Sequence, residues 1–198
     1  MGKTLNIVID GYRRFAASYE QQYKEIIKNL TRGGQAPKIM VVGCSDSRVD
    51  PALMFHCDPG DLFVTRNVGN VVPPFANDHL IHGVSAALEF GICQLNVDHL
   101  IILGHSQCGA IYARLHPDRL GANDFLSNWL ALIDTNGHTD GDACAKHALT
   151  QYYENCLEFP WIAEKVKAGS LHIHLWFFDL KDAMIYAYDF KDEQYHPL

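Results

Sequence analysis

Two short stretches carry the residues that can do chemistry. The first is Cys44-Ser45-Asp46-Ser47-Arg48, and the second is His105-Ser106-Gln107-Cys108. Two thiolates and an imidazole make three ligands for Zn²⁺ and leave one tetrahedral position open, as in catalytic rather than structural zinc sites. Closed sites use four ligands, commonly in close pairs, whereas here one thiol stands alone far upstream of a His-x-x-Cys pair. Taken singly, a cysteine at a strand end is ordinary core, a lone His-x-x-Cys is weak, and an Asp-x-Arg pair is a surface salt bridge. Together they point to a metal centre. A carboxylate at Asp46 can accept a hydrogen bond from a water at the open position, and Arg48 can keep that carboxylate ionised and aimed. Zn²⁺ with two thiolates and a neutral histidine is formally neutral. It polarises water less than a zinc on three histidines, whose bound water has a pKa near ~7. The sequence therefore predicts activity that rises on the alkaline side.

The elements that must position these residues alternate. A helix is expected over Asn6–Leu30, where Tyr12, Phe15, Tyr19, Tyr23, Ile26 and Leu30 recur at helical spacing until Gly33-Gly34. Lys38–Gly43 is a continuous apolar run suited to a strand buried on both faces. Asp50-Pro51 reads as a capped helix start. Leu62–Thr65 and His99–Leu103 are two more strands. Helices are expected over Asp78–Leu95, Ser106–Leu115, Asp124–Ile133, Asp142–Leu157 and Pro160–Ala168. Cys108 would then lie in a first helical turn, where the dipole favours its thiolate. Leu171–Phe178 and Ala183–Asp189 read as strands joined by a turn at Lys181-Asp182. The pattern predicts a single α/β domain, a mostly parallel central sheet flanked by helices. Chemistry in such sheets gathers at the carboxyl ends of the strands, where Cys44 and His105 fall.

Composition sets bounds. The chain has 198 residues, 48% hydrophobic and 20% charged, enough for one well-packed domain. A net charge of −7 with no basic stretch argues against nucleic acid and against anionic membranes. No apolar run approaches a membrane span, and Met1–Asp10 lacks a signal-peptide pattern, so a cytoplasmic location is expected. The six cysteines are then expected as thiols. Among the 11 histidines, His56, His79, His82 and His99 lie near the motifs, and the sequence does not choose a proton carrier among them.

Cys-Ser-Asp-Ser-Arg followed by Gly-His-Ser-x-Cys-Gly resembles the signature pair of the β-carbonic anhydrases. Pro59-Gly60-Asp61, Arg66-Asn67-Val68-Gly69-Asn70, Ala87-Leu88-Glu89-Phe90 and Phe159-Pro160-Trp161 extend the likeness over essentially the whole chain. The resemblance implies reversible hydration of CO₂ to bicarbonate and a proton by a zinc-bound hydroxide. It implies one Zn²⁺ per subunit on Cys44, His105 and Cys108, with Asp46 and Arg48 catalytic and Asp46 a fourth ligand in a closed state. It implies a homodimer or dimer-based tetramer, with the N-terminal helical arm (1–34) reaching over a partner and the zinc-binding core in 35–198. Matching by motif to the plant-like subgroup gives Gln35, Phe63 and Val68 as substrate-binding residues. Phe90 stands where that subgroup has a tyrosine. Val41 stands where bicarbonate-regulated members have a tryptophan, which favours an open site. Two other readings compete: a carbonyl sulfide or carbon disulfide hydrolase on the same scaffold, and a non-catalytic zinc protein partnering a bicarbonate transporter.

Overall fold

A computed structural model describes residues 5–119 and 124–198. Its centre is a six-stranded sheet in the order β2-β1-β3-β4-β5-β6. The strands are β1 (Ile39–Cys44), β2 (Leu62–Asn67), β3 (His99–His105), β4 (His172–Asp179), β5 (Met184–Asp189) and β6 (Gln194–Pro197). The first four in sheet order run parallel, and β5 and β6 add antiparallel. The predicted parallel core and C-terminal hairpin are there, and β6 is an addition. Met40 to Val42 and Leu100 to Leu103 are buried on both faces, as their unbroken apolar runs require.

The larger core lies under α7 (Gly141–Glu158) and α8 (Pro160–Lys167). Helix α7 turns Cys144, Ala148, Leu149, Tyr152 and Cys156 inward at three- and four-residue spacing. The Asp140 carboxylate caps it by accepting from the Ala143 N–H at 2.8 Å. Pro160 opens α8, where its missing N–H costs nothing. The other sheet face holds a smaller cluster of Val41, Ile101 and Leu103, covered by Met54, Phe55 and Trp176.

Four helices differ from the sequence reading. The arm is two helices, α1 (Leu5–Gln22) and α2 (Lys24–Gly33), broken at Tyr23, and neither buries a single residue. Leu30 still touches the loop before β2. It fills the space beside Gly60, where an added Cβ would sit 2.7 Å from Leu30 Cδ1 and φ is +102°. Residues 78–82 are irregular with Ile81 fully exposed, so α4 begins at Gly83 (Gly83–Glu89) and continues as a π turn over Phe90–Gln94. Helix α5 begins at Gly109 (Gly109–Leu115), not Ser106, which leaves Cys108 just before it in extended backbone. The expected dipole effect on Cys108 is thereby reduced to N–H groups at the helix mouth. The short α3 (Pro51–Met54) has the predicted Asp50 cap, and α6 (Asp124–Leu130) stops three residues early. No helix among the described residues is long and apolar enough to cross a membrane.

Candidate active site

β1 and β3 are sheet neighbours, so their carboxyl ends lie side by side. Cys44 is the last residue of β1 and His105 the last of β3. Cys108 returns to them through a turn in which Gln107 takes φ +53°, held by its N–H donating to Asp142 at 2.9 Å. The ligand atoms of Cys44, His105 and Cys108 all fall within 4.8 Å of one another, and all three residues are buried. The two sulfurs are 3.9 Å apart.

The donor set fits a metal. His105 Nδ1 donates to the Ser106 carbonyl at 2.9 Å, which fixes the tautomer and leaves a lone pair on Nε2. Among the described residues, Nε2 is the buried side-chain polar atom with no hydrogen-bond partner. Such an orphan is costly unless something binds it. The thiols tell the same story. Hydrogen bonding with Cys108 pulls the Cys44 pKa well down, while that same hydrogen bond and then burial push Cys108 far up. On their own the two sulfurs share one proton, Cys44 as thiolate and Cys108 as thiol, and only a cation between them would let both ionise. Thiolate and imidazole together suit a divalent ion of zinc's softness.

Asp46 and Arg48 stand at the same mouth. Arg48 Nε donates to Asp46 Oδ1 at 2.9 Å and Nη2 to Oδ2 at 2.7 Å, a bidentate pair. Arg48 Nη2 also donates to the Gln107 carbonyl at 3.0 Å, tying the two motifs together. The Arg48 hydrogen bonds hold Asp46 well below the usual carboxylate range. Asp46 Oδ2 lies 4.0 Å from His105 Nε2. A cavity of about 380 Å³ opens beside Cys44 and Asp46, walled by Val68, Ala110, Ala113 and Leu130.

A sequence model of the carbonic anhydrase family matches residues 39–185. The chain belongs to the β-carbonic anhydrases. It is 35% identical over 189 residues to β carbonic anhydrase 5, chloroplastic, of Arabidopsis thaliana, covering 87% of this chain and 62% of that relative. The β-carbonic anhydrase CcaA superposes with a TM-score of 0.89 at 28% identity, over 98% of this chain and 99% of that one. One of two tetrameric β-carbonic anhydrases of Sordaria macrospora does so with a TM-score of 0.79 at 27% identity, over 92% and 95%.

Against that family frame, the structure brings Cys44, Asp46, Arg48, His105 and Cys108 together, with Val68 on the cavity wall. Gln35, Phe63 and Phe90 do not line this cavity within one copy. Gln35 is exposed, and Phe63 and Phe90 pair with ring centroids 5.7 Å apart. His56 and His79 are exposed, and His82 is held by Asp78 at 2.7 Å. His99 opens β3 at the opposite end of the sheet from His105, roughly 20 Å away at 3.3 Å per residue.

Sequence reasoning gave Arg66 no role beyond its motif, yet it holds the first ligand loop in shape. Its guanidinium donates to the carbonyls of Cys44 (2.9 Å), Asp46 (2.7 Å) and Val49 (2.9 Å) and to Asp50 Oδ2 (2.9 Å). The available signal was its place near the carboxyl end of β2, one strand from Cys44. Arg66→Met would remove four hydrogen bonds that hold a tight loop, leaving the Asp46 carbonyl only its 3.2 Å bond from the Val49 N–H. It is expected to cost about 3 kcal/mol, a Tm loss of roughly 6–12 °C, and to weaken metal retention about 10–100-fold. Thermal scans and metal counts check this; an unchanged Tm would mean the loop holds its shape without the clamp.

Proposed function

We propose that this chain catalyses the reversible hydration of CO₂ to bicarbonate and a proton, using one Zn²⁺ held by Cys44, His105 and Cys108. The observation that carries this reading is the buried, unpartnered His105 Nε2 facing two thiols beside an Arg-clamped carboxylate. When bound, zinc supplies Lewis acidity that makes water a nucleophile near neutral pH. Asp46 Oδ2 accepts one hydrogen bond from Arg48 and keeps a lone pair for a proton on the attacking oxygen. Arg48 fixes the direction of that lone pair. The apolar wall of Val68, Ala110, Ala113 and Leu130 suits CO₂, which has no net dipole and gains from leaving water. Both Asp46 oxygens being held by Arg48 supports an open site, with Asp46 outside the ligand set.

The working unit is a dimer or a dimer-based tetramer. Helix α1 has 18 residues and buries none, while Leu5, Val8, Tyr12 and Phe15 stand exposed. A second copy is the natural cover for such a stripe. The pairing also explains Gln35, Phe63 and Phe90, which would complete the pocket of the neighbouring copy. Phe90 is 45% exposed in a single chain. Sedimentation at micromolar concentration is expected to give the mass of two or four copies, and a mass of one would contradict the proposal. A cytoplasmic location suits this chemistry, since a reducing compartment keeps the two ligand cysteines available to the metal. The reaction itself is tested by turnover of CO₂ and carbonyl sulfide in parallel by the same zinc-loaded sample. CO₂ is expected to be much the faster; turnover of carbonyl sulfide alone would overturn the assignment.

A further inference from the structure

At the end of the sheet opposite the active site, three histidines share one face. β3 and β4 are parallel with His99 paired to His172, so side-chain alternation puts His99, His172 and His174 on the same side. His99 Nδ1 and His174 Nε2 are 3.1 Å apart. Two imidazole nitrogens bound to one metal at ~2.0–2.1 Å are about 2.9–3.4 Å apart for coordination angles between square and tetrahedral. The His172 ring lies 5.4 Å from His99, centroid to centroid, and is exposed, so a rotamer change can bring it to the same point. The pair makes one hydrogen bond if both rings are neutral, and that bond alone gives no reason for the third ring.

We infer that His99 and His174, with His172 as a third ligand, form a second metal site for an imidazole-preferring divalent ion such as Ni²⁺, Cu²⁺ or Zn²⁺. It is separate from the cysteine-containing centre. Its ligands come from two adjacent strands, so an ion bound there ties the amino ends of β3 and β4 together and stabilises the folded chain by mass action.

The test titrates Ni²⁺ into zinc-loaded protein. Ni²⁺ uptake is followed by calorimetry and by quenching of Trp176, whose ring is 6.1 Å from His174. A Trp176→Phe control separates it from Trp129 and Trp161. One Ni²⁺ per subunit beyond the resident zinc is expected, weakened at least tenfold in both His99→Gln and His174→Gln, with zinc content and CO₂ hydration retained. His172→Gln, at an exposed position, is expected to weaken binding while leaving Tm in the absence of Ni²⁺ unchanged. No uptake beyond zinc, or uptake of equal affinity in the His99→Gln/His174→Gln double variant, would overturn the site.

Discussion

Cys108→Ser, Cys44→Ser and His105→Gln are each expected to strip the protein of zinc on dialysis and to slow CO₂ hydration by a factor on the order of 10³ or more. A serine hydroxyl does not ionise near neutral pH, so each cysteine replacement removes a charge that the cation needs. Loss of the metal forfeits several kcal/mol of charge stabilisation, and each ~1.36 kcal/mol is tenfold in rate. His105→Gln removes the orphaned Nε2, the buried atom that has no other partner among the described residues. Metal counting and stopped-flow assay of the same samples check this. A variant that keeps both its zinc and its rate would show that its side chain is not a ligand.

Asp46→Asn and Arg48→Met are expected to keep zinc and to lose roughly 10²-fold or more in kcat, the range for a positioned proton acceptor. Asparagine offers an N–H where a lone pair is required. Methionine releases the bidentate clamp and the link to the Gln107 carbonyl. The two act as one unit, so the double variant is expected to lose little more than the worse single. Arg48 holds the Asp46 pKa depressed, and a depressed carboxylate favours the fold at neutral pH and loses that contribution as pH falls through its folded value. Asp46 is therefore ionised throughout pH 6.5–9, and the rate loss is expected to be uniform over that window. Equal kcat for Asp46→Asn and the parent would remove Asp46 from the reaction.

Much of this was legible because it rests on local pattern. The apolar runs of β1 and β3 gave parallel strands, and strands of this kind put Cys44 and His105 at one edge without further information. What the sequence concealed depends on tertiary contact. The periodicity from Asn6 to Leu30 predicts one helix, but it breaks at Tyr23, and neither half buries a residue in one copy. Ile81 has the spacing of a buried residue and none of the burial. Cys108 reads as helical because Gly109–Leu115 is, and only the turn at Gln107 shows that it precedes the helix. Arg66 looks like one charge in a strand until three carbonyls from a distant loop converge on it. The histidine cluster depends on the register of β3 against β4, which places His99 beside residues some 70 positions later in the chain.

The most direct test of the account is stopped-flow CO₂ hydration from pH 6.5 to 9, on protein of counted zinc content, before and after chelation. A rate that climbs with pH, as two thiolates on a divalent cation imply, and that vanishes with the zinc and returns with it is the predicted result. A fully zinc-loaded sample that is inactive across the range would contradict it.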